Sequence, residues 1–409
     1  MLAHLLLLVA TVAPSSKPNI VFFLVDDMGW QETSVPFHSE TTALNRRYCT
    51  PNLERLAAQG MKFTQAYASA VCSPSRVSAL TGMNAARPAV TNGTLRRDRS
   101  PDNPAPRFDP PAWNHHGVCA EPGVPSTVRA TPLPALLQGS GYRTIHVGKA
   151  HFGAQGTPGE DPRNLGFDVN IAGHAAGGPG SYWGEKNFSA GWRTNPPDLI
   201  WDVPGLVAYH GQNVNLTDAL TREAIRAVDQ AVADQRPFYL YLSHYAVHAP
   251  WEKDDRFYQK YVDAGLSPFE ATLASMIEGM DKSLGDVMDA LERRGVADDT
   301  IVLFLSDNGS PSQCPGCVSA DPVLVEDFCP TIGEMAGVPW RVRTAQTVDG
   351  FSFTPLLRGT GATPRDRAFV WHFPHKYGGQ EPYSALRRGP WKLIYHHAGR
   401  RAELFNLEQ

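Results

Sequence analysis

Four short apolar runs in this chain each stop at residues that can bind a cation or move a proton, and that coincidence constrains the fold more than any other feature. The runs Asn19–Val25, Arg143–Val147, Phe238–Leu242 and Ile301–Leu305 read as strands buried on both faces. Asp26 and Asp27 follow the first, Lys149 and His151 the second, His244 and His248 the third, and Asp307 and Asn308 the fourth. Between them lie helical stretches. Pro51–Gly60, Pro74–Gly82 and Pro132–Gly141 each open on proline and close on glycine, the asymmetry expected of helix ends. Leu216–Asp234, Pro268–Arg294 and Glu326–Gly337 read as further amphipathic helices. Strands alternating with helices predict an α/β fold with a doubly wound, mostly parallel sheet. From Phe369 onward the pattern changes. Ala368–His372 and Trp391–Tyr395, joined by a Gly/Pro-rich loop, read as strands of a small antiparallel subdomain.

Composition narrows the class of function. With 42% hydrophobic and 19% charged residues over 409 positions, the chain is neither disordered nor fibrous and can bury a large core. Its net charge of −4 and lack of basic runs argue against a nucleic-acid partner. The 36 glycines and 34 prolines imply many ordered loops, the usual material of a loop-built site. Met1–Ser16 carries an apolar run from Leu5 to Val12 and a small residue, Ala13, at a cleavage point, the pattern of a short secretory signal. That run is too short to span a bilayer, so the expectation is a secreted or periplasmic protein without stable membrane insertion. The domain plan is then a signal over 1–16, a catalytic domain over 17–345 and a C-terminal subdomain over 346–409. The six cysteines include a C-x-x-C pair, Cys314 and Cys317, which reads as a disulfide or two free thiols because a second zinc-ligand pair is missing.

In open α/β sheets ligands gather beyond the carboxyl ends of the strands. Asp26 and Asp27 at one strand end and Asp307 and Asn308 at another offer oxygen ligands, which favour calcium or magnesium over zinc. Either motif alone could be a turn or a helix cap; both together, after apolar strands, point to a cation site. Cys72-Ser73-Pro74-Ser75-Arg76 opens a predicted helix. A helix N-terminus attracts anions, Arg76 adds a bidentate donor, and a cysteine there is expected to have a lowered pKa.

These residues resemble the type I sulfatase family of the alkaline phosphatase superfamily. Cys72-Ser73-Pro74-Ser75-Arg76, continuing to Leu80-Thr81-Gly82, is similar to the family's C-x-P-S-R and L-T-G motif. Lys17-Pro18-Asn19-Ile20 through Asp26-Asp27-Met28-Gly29 resembles its first strand, and Gly148-Lys149-Ala150-His151 its G-K-x-H motif. Tyr245 to Pro250, with His248, resembles its H-x-P motif, and Ser306-Asp307-Asn308-Gly309 its second metal motif. The resemblance implies an alkaline-phosphatase-like, mixed and mostly parallel sheet with a smaller antiparallel C-terminal subdomain. It implies one calcium ion held by Asp26, Asp27, Asp307, Asn308 and the modified Cys72. Cys72 would be converted to formylglycine by a formylglycine-generating enzyme, and its hydrate would attack sulfur. Arg76 would steady that diol, Lys149 and His151 would stabilise the sulfate oxygens and the nucleophile, and His248 would protonate the leaving oxygen. Segments Gly173–Pro179 and Trp371–His375 resemble sugar-pocket loops of secreted bacterial sulfatases. Lys149, His174, His248, His372 and His375 are therefore the expected substrate contacts, and Trp183 could stack on a sugar. The implied substrate is a sulfated glycan or another sulfate ester, with galactose-type units one option.

The chain also departs from that family. Relatives carry several dozen residues between the Asp-Asn-Gly motif and the helix resembling Asp327-Phe328 to Ile332, including a lysine that binds sulfate. Here Ser310–Val325 intervene, without a lysine and with Cys314 and Cys317. Relatives also continue past Glu403–Leu407. An internal deletion and an incomplete C-terminal subdomain are the expectation. Loss of one charged sulfate contact would cost roughly 2–4 kcal/mol of transition-state stabilisation. Two other readings follow: a phosphodiesterase or phosphonate hydrolase of the same superfamily, and a catalytically silent glycan-binding relative. The sequons at Asn92, Asn187 and Asn215 bear on the protein only if a eukaryotic host exports it.

Overall fold

The computed structural model describes residues 17–37, 40–102, 109, 111–193, 195–309, 322–362, 364, 366–377 and 379–408. The signal-like Met1–Ser16 and the Cys314/Cys317 pair lie outside them. Cys49, Cys72, Cys119 and Cys329 are free thiols.

All four apolar runs form strands of one sheet. They are β1 (Asn19–Val25), β2 (Arg143–Gly148), β4 (Phe238–Ser243) and β5 (Thr300–Ser306), joined by the three-residue β3 (Val169–Ile171). The order is β3-β2-β4-β1-β5 and every pairing is parallel. Ile20 to Val25 are at most 2% exposed, which is why β1 has no polar side. Alternate side chains point to opposite faces, as strand geometry requires. Val21, Phe23 and Val25 pack in the layer formed with α4 (Leu216–Ala233) and α5 (Pro268–Arg293), whereas Ile20, Phe22 and Leu24 pack with α2 (Cys72–Thr81), α3 (Leu133–Gln138) and α6 (Phe328–Met335). At roughly 1.5–3 kcal/mol per fully buried large apolar side chain, this central strand is a principal anchor of the fold.

Local chemistry sets the helix ends. Asn215 caps α4 by accepting from the Thr217 N–H at 3.0 Å, and Ser267 with Glu270 forms a capping box at the head of α5. The helix α1 (Pro51–Gln59) is pinned to α5 by Asp281, which accepts from the backbone N–H groups of Asn52 and Leu53. Helix α2 begins two residues earlier than the proline predicts, so Cys72 occupies its first position. Pro74 is tolerated there because the first turn leaves its N–H positions unpaired anyway.

Among the described residues, β5 has a strand partner on one side only. Beside it runs a cavity of about 320 Å³ lined by apolar groups such as Leu53, Phe304, Phe328 and Phe353. The C-terminal subdomain is a four-stranded antiparallel sheet in sequential order: β6 (Ala368–Phe373), β7 (Tyr383–Arg388), β8 (Trp391–His396) and β9 (Arg401–Asn406). Its register aligns Val370, Leu386, Leu393 and Leu404 in one row, and all four are exposed. No helix of the described residues is long and apolar enough to cross a membrane.

Candidate active site

In the sheet order, β2, β4, β1 and β5 are consecutive. Neighbouring strands lie roughly 4.8 Å apart, so their four carboxyl ends fall within about 15 Å of one another. The backbone there is tightly tied. The Asp26 N–H donates to Ala246 O at 2.8 Å, Asp307 N–H to Val25 O at 3.1 Å, and Lys149 N–H to Ser243 O at 2.8 Å. Asp27 and His151 take left-handed backbone conformations, φ 58° and 57°, which turn the chain sharply at two strand ends.

The side chains of these ends meet. Lys149 Nζ donates to Asp26 Oδ2 at 2.5 Å, and Asn308 Nδ2 to Asp27 Oδ1 at 2.6 Å. The Asp27 backbone N–H reaches Asp307 Oδ1 at 3.3 Å. Cys72, at the head of α2, brings its sulfur and the Asp26 and Asp27 carboxylates within 4.8 Å of one another. Arg76, one turn further along α2, is fully buried. Its Nε and Nη2 donate to Asp307 Oδ2 at 3.0 and 2.8 Å, its Nη1 to Lys149 O at 3.1 Å and to Ser243 Oγ at 2.5 Å, and Nη2 lies 3.5 Å from Asp26 Oδ1. These hydrogen bonds hold Asp307 and the β2 and β4 ends together.

Electrostatics follow from this crowding. Burial first, and then Asp307, push the Asp26 carboxyl well above its ordinary range against the pull of Lys149. Burial also acts to raise Asp307, but Arg76 and Lys149 outweigh it and hold that carboxyl low. Three carboxylates face two cations, so the cluster has room for further positive charge. Two oxygens meet the requirement of a ligand: Asp26 Oδ1 and Asn308 Oδ1 are buried and take part in no hydrogen bond. The oxygen donors of Asp26, Asp27, Asp307 and Asn308 fit a hard divalent cation such as calcium.

The lowered thiol pKa expected at a helix N-terminus is reversed. Burial pushes the Cys72 thiol well up; Lys149 opposes this, but Asp26, Asp307 and Asp27 add to it. A helix end alone favours a thiolate, but here the carboxylates stand close beside it. As a thiol this cysteine is a poor nucleophile.

The histidines divide by placement. Burial, then Lys149 and Arg76, hold His151 far below its ordinary range, so its ring is neutral. Its Nε2 donates to Thr94 O at 2.5 Å, and its buried Nδ1 is unpartnered. His248 donates from Nδ1 to Ala249 O at 2.7 Å and presents Nε2 to Asp27 Oδ2 at 3.9 Å. Burial and Lys149 lower its pKa, with Asp27 opposing. His244 turns instead into the core, where its Nε2 meets Ser283 Oγ at 2.9 Å. His174 packs near Tyr245, is held to about 4 by burial, and passes its backbone carbonyl to the His151 N–H at 3.2 Å. His372 contacts Ser384 Oγ at 2.8 Å. His375 is fully buried with both nitrogens engaged, by Thr91 Oγ1 at 2.7 Å and Asp102 Oδ1 at 2.9 Å. Both of its ring nitrogens are thus used within the protein, tying its loop to Thr91 and Asp102. Trp183 is part-buried at the head of a short 3₁₀ turn.

Sequence reasoning missed two tyrosines and the part played by a glycine pair inside the Gly173–Pro179 segment. The Tyr182 hydroxyl lies 2.6 Å from Tyr245 O and 2.8 Å from His248 O and so fixes the turn bearing His248. A Cβ on Gly177 would fall 2.4 Å from His151 Cε1, and one on Gly178 would fall 2.7 Å from His248 Nδ1. This glycine pair is the floor against which both rings rest. Tyr377, from the C-terminal subdomain, lies close enough to Cys72 and Asp27 that, after burial, their charges raise its pKa. The glycine pair was visible in the sequence, but its partners were not. Of the sequons, Asn92 and Asn215 are buried and used in hydrogen bonds, whereas Asn187 is exposed.

Comparison with known proteins settles the ancestry. The family model "Sulfatase" matches residues 18–320. The chain belongs to the sulfatase family. A sulfatase of Formosa agariphila is 27% identical over 96% of this chain and 83% of its own length. The mouse N-acetylgalactosamine-6-sulfatase is 31% identical over 74% of this chain and 52% of its own, so the chain spans about half the length of that relative. Among solved structures, Ps i-CgsB, also crystallised in complex with k-i-k-neocarrahexaose, superposes with a TM-score of 0.71 at 21% identity, over 96% of this chain and 86% of that one. The shared fold is the mostly parallel sheet with its small antiparallel companion.

Proposed function

We propose that this protein hydrolyses sulfate esters on a sulfated carbohydrate, using Cys72 after its conversion to formylglycine. The observation that carries the reading is the placement of the Cys72 sulfur with the Asp26 and Asp27 carboxylates, within 4.8 Å of one another, beside the fully buried Arg76 and Lys149. Family membership supports sulfuric ester hydrolysis, and the sulfated sugars handled by relatives support a glycan substrate.

Asp26, Asp27, Asp307 and Asn308 would hold calcium, which lowers the pKa of an oxygen bound to it and draws in the negative sulfate oxygens. Formylglycine at position 72, once hydrated, would supply one hydroxyl for attack on sulfur and a second whose deprotonation would expel sulfate and restore the aldehyde. The chain's own residues do the rest. Lys149 places its ammonium against Asp26, where it offers charge to the incoming anion. His151, neutral and with Nδ1 free, accepts a hydrogen bond from a hydroxyl of the nucleophile. His248 Nε2 faces the same space. An arriving sulfate favours its protonated form, which then donates a proton to the leaving alcohol. Arg76 holds the acidic residues in register, and the glycine pair at 177–178 sets both imidazoles. His174 and His372 remain candidate sugar contacts. The Leu5–Val12 run supports export, during which a formylglycine-generating enzyme would meet the chain.

The test uses protein co-produced with a formylglycine-generating enzyme, with Cys72 conversion followed by peptide mass. The reading expects turnover of an aryl sulfate that vanishes in Cys72→Ala, with little turnover of an aryl phosphodiester. Preference for the diester would favour the phosphodiesterase reading. Binding of sulfated oligosaccharide by converted protein without turnover would make the chain a silent glycan-binding relative.

A further inference from the structure

Away from the sheet ends, Asp98, His115 and His116 bring three ligand atoms within 4.8 Å of one another. They come from two loops, one following Thr94 and one entering the short strand Gly117–Cys119. The hydrogen bonds around the rings define their protonation. His116 Nδ1 lies 2.8 Å from Pro125 O, and His115 Nδ1 lies 3.2 Å from Trp113 O. A carbonyl oxygen only accepts, so both Nδ1 atoms act as donors, and the two Nε2 atoms face Asp98, free to take a proton or a metal ion. This is the outer hydrogen bonding that orients imidazoles toward a metal ion.

The Asp98 N–H lies 3.3 Å from His116 Nε2, a contact that a bound ion would replace. Asp98 Oδ1 sits 2.9 Å from the same nitrogen and 4.0 Å from His115 Nε2. A contact this short needs a positive centre between the two atoms, either a shared proton or a metal ion. Asp98 sits at φ 59°, the left-handed region that aspartate tolerates, which turns its carboxylate back toward the rings. His116 is buried, with its side chain 5% exposed, whereas the Asp98 side chain is 71% exposed, which leaves one side of the cluster open to solvent.

We propose that Asp98, His115 and His116 form a second metal site, for a first-row divalent ion of the zinc class. Two imidazoles and one carboxylate suit zinc and not calcium, which prefers oxygen. A tetrahedral ion with bonds of roughly 2.0–2.1 Å places its ligand atoms about 3.3 Å apart. The observed separations of 2.9 and 4.0 Å bracket that value. The fourth position faces solvent. An ion here ties the loop after Thr94 to the segment before Gly117. Thr94 O is the acceptor for His151, so the same clip steadies one wall of the active site. The proposal rests on no chemistry at Cys72.

The test is calorimetric titration of the full chain with zinc, calcium being present in excess to occupy the oxygen site. Cobalt absorption then reports nitrogen ligation. The wild type and Cys72→Ala should bind one zinc with equal affinity. His115→Ala and Asp98→Asn should each weaken it at least about tenfold, since even supporting residues cost that much. Asp98→Asn falls at an exposed position and keeps the side-chain shape, whereas His115→Ala falls at a part-buried one; circular dichroism checks that each variant folds. Absence of zinc binding by the wild type would overturn the proposal and leave His116 as a hydrogen-bond bridge between Pro125 O and Asp98. Binding unchanged in both variants would overturn it equally.

Discussion

Arg76→Ala removes the cation around which the active-site carboxylates are arranged. In the native site its guanidinium is fully buried and gives Asp307 Oδ2 two hydrogen bonds of 3.0 and 2.8 Å, with further bonds to Lys149 O and Ser243 Oγ. Taking one partner out of a buried pair typically costs 3–5 kcal/mol, because the remaining charge stays buried without compensation. Unfolding entropy of roughly 2 cal/mol/K per residue gives about 0.9 kcal/mol/K for a chain of this length, so a loss of about 4 kcal/mol lowers Tm by about 4–5 °C. The three carboxylates then repel more strongly, so calcium should recover a larger part of stability in the variant than in the wild type. Calorimetric melts of both proteins, in chelator and in excess calcium, check this. An unchanged Tm in chelator, or equal calcium stabilisation of the two proteins, would refute the claim that Arg76 neutralises the acidic cluster.

Three further outcomes follow from other residues. Burial, and then Asp327, raise Glu326 from 4.5 to about 7, with Asn84 opposing through a 2.9 Å hydrogen bond. Since the folded value is the higher one, Glu326 supports the fold below about pH 4.5 and loses that contribution as pH rises through 7. Glu326→Gln should therefore gain up to about 3 kcal/mol over the wild type between pH 5 and pH 8 in denaturant titrations; a difference that does not vary with pH would contradict this. His248→Ala should slow hydrolysis of a sugar sulfate by about 10²–10⁴ while costing far less on an aryl sulfate with an acidic phenol, because only the poor leaving group needs the proton. Equal losses on both substrates would remove His248 from that role. Gly178→Ala places a methyl 2.7 Å from His248 Nδ1 and displaces the ring from Ala249 O. It should reproduce the leaving-group dependence of His248→Ala in weaker form without lowering Tm by more than a degree or two, and unaltered kinetics on both substrates would show that the glycine does not position the ring.

What the sequence made legible was what local patterning encodes. The buried strands lack a polar face, so β1, β2, β4 and β5 stood out as apolar runs, and most of the polar residues ending them meet in one cluster, His244 excepted. The three-residue β3 is too short to show a period. Strands β7 and β9 were missed because their sheet buries one face only weakly. Tyr383–Arg388 and Arg401–Asn406 mix charged and apolar residues without clean alternation. The Cys72 thiol illustrates the limit of local reasoning. Its place at a helix N-terminus argues for a low pKa, and the fold brings in carboxylates from positions 26, 27 and 307 that reverse it. Tyr377 and the Asp98, His115 and His116 cluster depend on loops brought together by the fold, and no spacing in the sequence announces such contacts.

The central claim is that Cys72, once converted, releases sulfate from a glycan. Its most direct test is sulfate release from a panel of sulfated monosaccharides and oligosaccharides by calcium-loaded, fully converted protein, measured beside Cys72→Ala. The account predicts release from at least one member of the panel and none in the variant. Conversion of Cys72 without release from any member, or release that survives in Cys72→Ala, would contradict it.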